Sequence, residues 1–557
     1  MKVAQKILTL LLGSLCISNL ALAQSTIIST NDSKNYKPDT INTSNTSNLN
    51  TSDNDNKSIN FPSLKIYTPP LRTGIESNKV MPLSLTNVIT MMLEHNLDIN
   101  QERNNIASKK NLLLAQKGFY DYFMGSRFDY SNSITPTISA LQGNPRESFL
   151  ESYNYNFNIS RNLANGGNIK AEFNNSRNST DNRFVIFDPF YLSQLSFTYS
   201  QPLLKNFSIN EPQRNIAALK KQIDIADLSF RNKLVDLIAR TQASYYDLAF
   251  AIENEKIKRD AVELAAEQIR RNQVEVEAGR IAPVEVTAAE AEFERRKEEA
   301  ISELLAITEA ENKLKNLIID DPTSNMWNYQ IVPTNKIEFA EEGVELEKTI
   351  SVAMNNRPEL RELDIKNEIQ KVETSFLKNQ QKPQLDFFFT FSSQGLAGAI
   401  NRPNFFNIRP KADLIGGYGT ALGNIFLFRT YQFGVTINLP LRNTTAKANF
   451  ENALIASNQI DVAKKKMLNN ILVEVRNAMQ ALDLAAQSVD AARANVKAIR
   501  VRLDAEQVRF KVGMSTSFFV LEYQNRLSTA RSKELRAITD HIKAKAILHK
   551  VLADNLP

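Results

Sequence analysis

The side chains that usually carry metal or nucleophilic chemistry are scarce in this sequence of 557 residues. It contains three histidines, His95, His541 and His549, and a single cysteine, Cys16. Zinc, haem and iron–sulfur centres depend on histidine and cysteine ligands, so no metal or cofactor is expected. His541 and His549 lie on one C-terminal helical segment with no paired carboxylate or nucleophile, and therefore no enzyme active site is predicted.

The composition points away from catalysis as well. Glycine accounts for 17 residues, or about 3% where about 7% is usual, which argues against glycine-rich phosphate loops. The formal net charge is +6 and no basic run with interleaved aromatic residues occurs, so nucleic acid is not an expected partner. These features favour a transporter, a scaffold or a binding protein.

The N-terminus is typical of an exported protein. Residues 1–23 combine two lysines, a short apolar core and an A-x-A cleavage site that ends at Ala23, which predicts a signal peptide. Cys16 would leave with it, and the large Leu15 before it argues against lipid attachment. The mature chain would then contain no thiol, as suits an oxidising compartment.

The rest of the chain divides into an extension and two similar halves. Residues 24–82 are rich in Asn, Ser and Thr and are predicted to form a linker. Residues 83–320 and 344–553 are predicted structural repeats, joined by an equatorial connector at 321–343. After about position 212 the repeats align at an offset of 234 residues, whereas before position 122 the offset is 261 residues. The first repeat therefore contains 27 extra residues between positions 122 and 212.

Each repeat contains one very long predicted helix, at 212–278 and at 446–512, without internal Gly or Pro. The second helix has an apolar residue at every seventh position: Leu468, Val475, Leu482, Val489, Val496, Leu503 and Phe510. The first has the same seam, interrupted at Glu255. This spacing predicts coiled-coil packing, and Gly279 and Gly513 are placed to end each helix and reverse the chain.

Between the helices the period changes from seven to two, which predicts strands. Aromatic and aliphatic residues alternate with polar ones in 431–439, 385–391 and 195–199, and more weakly in 123–130. Alternation alone fits a half-buried soluble sheet equally well. The export signal and the density of aromatic residues favour outer-membrane strands. Two strands per repeat give four per chain, too few to close a barrel, so several chains must share one.

These features together resemble the TolC family of outer-membrane efflux and secretion channels. The likeness rests on short motifs that follow one another along the two duplicated halves: Gln201-Pro202-Leu203-Leu204, Tyr245-Tyr246-Asp247-Leu248, Ala278-Gly279, Asn356-Arg357-Pro358-Glu359-Leu360 and Val512-Gly513. It covers about residues 83–553. The resemblance implies a mainly α, mixed α/β fold: a trimeric 12-stranded outer-membrane barrel, with four strands per chain, continued by a 12-helix periplasmic coiled-coil barrel.

The resemblance also implies partners and sites. A homotrimer in outer-membrane lipid would dock through its periplasmic tip onto an adaptor (membrane fusion) protein and an inner-membrane pump or secretion ATPase. The residues expected to dock are those of the two glycine turns: Ala278, Gly279, Arg280, Val512, Gly513 and Met514. The residues expected at the pore constriction are Glu285, Ser515, Phe519 and Glu522. A ring of Glu522 carboxylates would favour cations, and a solvated charge on a helix face is the competing interpretation.

The sequence therefore predicts a passive exit duct of the Gram-negative cell outer membrane that extends into the periplasm and serves a tripartite efflux or type I secretion system. The alternative is an exported coiled-coil structural or adhesin-like envelope protein. The cargo, whether drugs, metal ions or secreted protein, is not determined by the sequence.

Overall fold

The computed structural model describes residues 67–76, 78–137, 147–340, 343–401 and 409–554. The predicted signal peptide, Cys16 and the extension up to residue 66 lie outside the described residues. Helices α1 to α9 span Leu85–His95, Leu97–Lys117, Glu211–Glu277, Val284–Ile318, Leu346–Asn356, Pro358–Gln380, Tyr418–Gly423, Thr444–Lys511 and Ser517–Leu552. Strands β1 to β8 span Val80–Leu83, Tyr122–Pro136, Glu147–Asn162, Asn168–Thr180, Phe187–Pro202, Gln330–Pro333, Gln384–Ile400 and Phe428–Asn438.

Six strands form one antiparallel sheet in the order β2-β3-β4-β5-β7-β8. The expectation of four strands per chain is therefore wrong for this protein. The region between positions 122 and 212, where the 27 extra residues are located, contains an additional hairpin, β3–β4, in the first half. Both strands of this hairpin have full-length pairing on each side, so they belong to the interior of the sheet.

The additional hairpin carries an alternation typical of strands, but asparagine weakens it as a sequence signal. Tyr153, Tyr155, Phe157 and Ile159 alternate with Asn154, Asn156, Asn158 and Ser160. Asparagine is unfavourable in strands, and its frequency here masks an otherwise regular period of two. This alternation requires that one face of the strand is buried and that the other face is solvated.

The two long helices form where the seven-residue spacing predicts them. The first begins after Asn210, whose side-chain oxygen accepts a hydrogen bond from the Gln213 amide at 2.9 Å and caps the helix. In α8 the seam residues from Val475 to Leu503 are buried, and they pack against α9. Among the described residues, none of the helices combines the length and apolar character that crossing a bilayer requires.

The interruption of the first seam at Glu255 is a real feature of the core. The side chain is 8% exposed and pairs with Arg259, one turn further along the same helix, at 2.9 Å. Burial raises the pKa of Glu255, and the guanidinium of Arg259 opposes this shift. Arg259 stabilises the buried charge of Glu255 in this apolar seam, because an unpaired buried charge would cost free energy.

A small parallel sheet of β1 and β6 lies beside α3, the helix that contains the motif residue Tyr245. This fully buried side chain donates to the Leu83 carbonyl at 3.0 Å and accepts from the amides of Thr334 and Asn335. Tyr245 thereby ties the long helix to strand β1 and to the connector, so the Tyr245-Tyr246-Asp247-Leu248 motif has a structural role here.

A buried ionic cluster lies next to this small sheet. Glu311 of α4 is 1% exposed and pairs with Arg72 at 2.5 Å and with Lys315 at 3.1 Å. Its carboxylate also accepts the Ile331 amide at 2.8 Å, while Lys315 donates to the Trp327 carbonyl. Burial lowers the pKa of Lys315, and the charge of Glu311 counteracts it. Arg72 shows that the end of the predicted extension packs against the helical part of the chain.

We expect Glu311→Gln to destabilise the protein by about 3–5 kcal/mol, because it leaves two buried cations without a counter-charge. The measurement is guanidinium unfolding of the detergent-solubilised protein, followed by helical circular dichroism. Glu309→Gln, an exposed change on the same helix, is the matched control and should have little effect. Equal midpoints for the two variants would contradict this assignment.

Candidate functional site

The large sheet has one aromatic face. Because residues directly opposite each other in a ladder point to the same side, the register groups Tyr431 with Phe391, Phe197 and Ala171. The next row on that face contains Phe433, Phe389, Tyr199 and Ile169. Phe433 is 76% exposed in the single chain. An exposed apolar surface of this extent is suited to hydrocarbon, and it is unfavourable in water.

The opposite face is polar and carries little unpaired charge. Its residues include Asn154, Asn156, Asn158, Asn174, Ser196, Thr198, Thr390 and Gln432. Four of its charged side chains form two close pairs, Arg127 with Asp129 at 2.9 Å and Lys170 with Glu172 at 2.7 Å, and the Asp386 carboxylate accepts a hydrogen bond from the Gln384 side chain. A face of this kind is suited to line a water-filled channel.

Beyond the aromatic rows, the same face changes to small residues. Ser193, Ser393 and Gly395 are covered there by the segment around α7. The Ser393 hydroxyl donates to the Ile425 carbonyl at 2.7 Å. A Cβ atom on Gly395 would lie 2.0 Å from the Ala421 carbonyl oxygen, so only glycine permits this approach. The aromatic band thus occupies the part of the sheet nearer the long helices.

The sheet has two unpaired edges. Within the described residues, β2 and β8 each pair on one side only. Six strands are fewer than the eight of the smallest bacterial barrels. An aromatic face in lipid is incompatible with open edges, because no water is present there to satisfy the backbone.

At the other end of the long helices, both glycine turns have the same geometry. Gly279 has φ +70° and Gly513 has φ +75°, in the left-handed region that glycine favours. After each glycine, the next amide bonds five residues back: Arg280 to the Glu275 carbonyl and Met514 to the Arg509 carbonyl, both at 2.9 Å. These are Schellman-type helix ends.

All six residues predicted to dock a partner lie in these two turns. The side chains of Val512 and Met514 are 64% and 78% exposed, although both are apolar. Arg280 forms an ion pair with Glu275 at 3.0 Å. The turns therefore present backbone and exposed apolar side chains rather than a catalytic constellation.

The four residues predicted at a constriction are only partly brought together. Glu285 and Glu522 line one cleft of about 390 Å³. Glu285 accepts a hydrogen bond from the Ser517 hydroxyl at 2.6 Å, and Glu522 pairs with Arg526 at 2.7 Å. Ser515 instead bonds Glu506, and Phe519 packs its half-exposed ring against Phe518.

Sequence reasoning missed the residue that joins the two helical hairpins near the tip. The side chain of Arg296 in α4 is 2% exposed. Its guanidinium donates to the Leu521 carbonyl at 2.9 Å and to the Ala261 carbonyl at 3.0 Å, and thus connects α9, α4 and α3. Its spacing in the sequence could have indicated this role, because Arg296 lies seven residues after Ala289 and therefore falls on the buried stripe of α4.

The partner of Arg296 is Glu292, which accepts from it at 2.8 Å. Burial lowers the pKa of Arg296, and Glu292 counteracts this. Burial of Glu292 opposes its ionisation, but hydrogen bonds from Arg295 and Arg296 prevail and lower the pKa of Glu292. The resulting stabilisation is present above the unfolded pKa of a glutamate and is lost as the pH falls through the folded value.

We expect Arg296→Met to loosen the contact between the hairpins, because it leaves buried carbonyls unpaired at about 1–3 kcal/mol each. Hydrogen exchange at the amides of residues 517–527 should become roughly tenfold faster or more. Arg295→Met, which removes a neighbouring partially exposed guanidinium, is the control. Unchanged exchange in Arg296→Met would show that the arginine does not hold α9.

Comparison of the solved structures gives matches over most of the chain. The Campylobacter jejuni CmeC outer membrane channel aligns with a TM-score of 0.60 and 14% identity, covering 89% of this chain and 93% of that one. The Vibrio cholerae outer membrane protein VceC aligns with a TM-score of 0.57 and 12% identity, covering 84% and 96%. The open-state Neisseria gonorrhoeae MtrE outer membrane channel aligns at 0.55 and 16%, covering 84% and 88%. At these identities the likeness shows the fold alone.

No curated protein sequence matches the chain. The sequence model of the outer membrane efflux protein family matches residues 150–318 and 350–554, one range in each half and together most of the chain. Both ranges contain a glycine turn with its two flanking helices, and the first also contains most of the additional hairpin. The chain belongs to the outer membrane efflux protein family.

Proposed function

We propose that this protein is the passive outer-membrane exit duct of a tripartite efflux or type I secretion system. In this role three chains form one channel, which a periplasmic adaptor protein and an inner-membrane pump or secretion ATPase open. Family membership supports the outer-membrane channel class, and the geometry of the sheet and helices supports the duct. The chain itself supplies no catalysis, so its partners must supply the energy.

The observation that carries this proposal is the continuity between the two-faced sheet and the helices. Four connections at one end of the sheet lead directly between helix and strand: α2 to β2, β5 to α3, α6 to β7 and β8 to α8. A polar sheet face that closes into a barrel would therefore open onto the space enclosed by the helices. A sheet and a coiled coil joined in this manner can conduct solutes without a membrane-spanning helix.

The length of the helices suits a duct that crosses an aqueous compartment. Helices α3 and α8 have 67 and 68 residues, which corresponds to about 100 Å at about 1.5 Å per residue. They end at the two Schellman turns, so both turns lie far from the sheet along the helices. Exposed Val512 and Met514 are suited to contact an adaptor there.

The direct test is conductance of the purified full-length protein in planar lipid bilayers, together with its migration in SDS before and after heating. We expect a heat-sensitive trimer, extracted from the outer membrane by detergent, that produces discrete channel steps. A water-soluble monomer that never conducts would exclude the duct and favour the structural or adhesin-like alternative.

We further expect Glu522→Gln to reduce the cation preference of single channels, because three such carboxylates near the tip would form a ring of negative charge. The ion pair of Glu522 with Arg526 offsets part of this charge, so the reduction should be partial. Reversal potentials in a salt gradient give the selectivity. Glu309→Gln, at an exposed position towards the other end of α4, is the control, and identical reversal potentials for Glu522→Gln and wild type would refute the carboxylate ring.

A further inference from the structure

We propose that three chains close an 18-stranded barrel, with β8 of each chain paired to β2 of the next. This inference rests on the proposed trimeric channel, and it concerns the strand number, which the family resemblance would set at twelve. It follows from the six-stranded sheet, provided that the β3–β4 hairpin crosses the membrane with the other strands.

The hairpin extends over the full height of the sheet. Its turn lies at the end where the long helices begin, since the Asn165 carbonyl accepts from the Ser208 amide and from the Gln201 side chain, both at 3.1 Å. The strands leading away from this turn have 16 and 13 residues. Transmembrane strands need about 9–11 residues, so both are long enough to cross.

The hairpin also has the same two faces as its neighbours. Phe157 lies opposite Phe173 on the aromatic side. Its ring packs edge-to-face with that of Phe128 in β2 at 5.5 Å, and Tyr153 contacts Tyr130 at 4.8 Å. Asn154, Asn156 and Asn158 lie on the polar side with their counterparts in β4. A flap outside the membrane would not need an aromatic face in register with the flanking strands.

The two sheet edges are complementary. Strand β2 leaves the helix end of the sheet and β8 returns to it, so β8 of one chain meets β2 of the next in antiparallel orientation. Each chain contributes an even number of strands, and the alternation of direction therefore continues around the ring. Both edge strands carry exposed aromatic residues on the same face of the sheet. These are Phe128 and Tyr130 in β2, and Tyr431 and Phe433 in β8.

The strand number determines the width of the outer-membrane section. Barrel diameter grows roughly in proportion to the number of strands, so 18 strands give about 1.5 times the diameter of a 12-stranded barrel. The added hairpin lines this wider lumen with asparagine and serine and with the Lys170–Glu172 pair. Selection by size or charge would then occur at the helix tip rather than in the membrane.

The decisive measurement is electron cryomicroscopy of the full-length protein in detergent, compared with a variant that lacks residues 147–180. We expect a wild-type trimer with 18 strands and a variant whose barrel diameter falls to about two thirds, with the helical tube unchanged. A conducting trimer with only 12 strands in its barrel would overturn this inference and leave the proposed function intact. Loss of both trimer and conductance in the wild type would refute the proposed function itself. If the variant does not fold, the wild-type strand count still decides.

Cross-linking tests the seam independently. In a Cys16→Ser background, Ser131→Cys in β2 and Gln432→Cys in β8 place one thiol on the polar face of each edge. Bis-maleimides of graded length should covalently join three chains of this double variant. Ser176→Cys with Gln432→Cys is the matched control, because β4 lies inside the sheet and away from either edge. Equal cross-linking of the two pairs, or none at any length, would contradict the β2–β8 seam.

Discussion

Backbone hydrogen bonding at the two edges of the large sheet is the constraint on which the rest of this structure depends. Strands β2 and β8 each leave one side unpaired among the described residues. In hydrocarbon every unsatisfied peptide group costs several kcal/mol, so a sheet with an aromatic outer face must close. The six strands of the described residues are too few to do so. In the proposed channel, assembly of several chains would therefore be part of folding rather than a later association.

The helices continue the structure into water, where a different physical effect stabilises them. In water the apolar seams of α3 and α8 provide the driving force, since each buries a residue at every seventh position against a neighbouring helix. The seams are not uniformly apolar. Glu255 introduces buried charge into the seam of α3, and Arg296 does the same in the buried stripe of α4; each is paired within its own helix. A buried ion pair of this kind contributes little net stability, but removing one partner is strongly destabilising because it leaves the other charge buried and unpaired.

The polar network around the small sheet holds the middle of the molecule. Tyr245 and the Glu311 cluster link α3 and α4 to β1 and to the connector through buried hydrogen bonds. Asn356-Arg357-Pro358-Glu359-Leu360 has a related role in the second half, because Arg357 donates to the Val551 carbonyl and to Glu474. The motifs that carry the family resemblance are thus largely structural, and they say little about cargo.

The sequence by itself determined the long helices, their seven-residue seams, the two glycine turns and the aromatic strands, because each depends on local periodicity or on backbone conformation at a single residue. It also located the 27 additional residues. Only the tertiary structure decided that these residues form two further strands, because asparagine-rich alternation is compatible with a loop until its partners on both sides are known. Likewise, the burial of Arg296 depends on carbonyls from helices that are distant in the chain, and no local pattern specifies which carbonyls will be near.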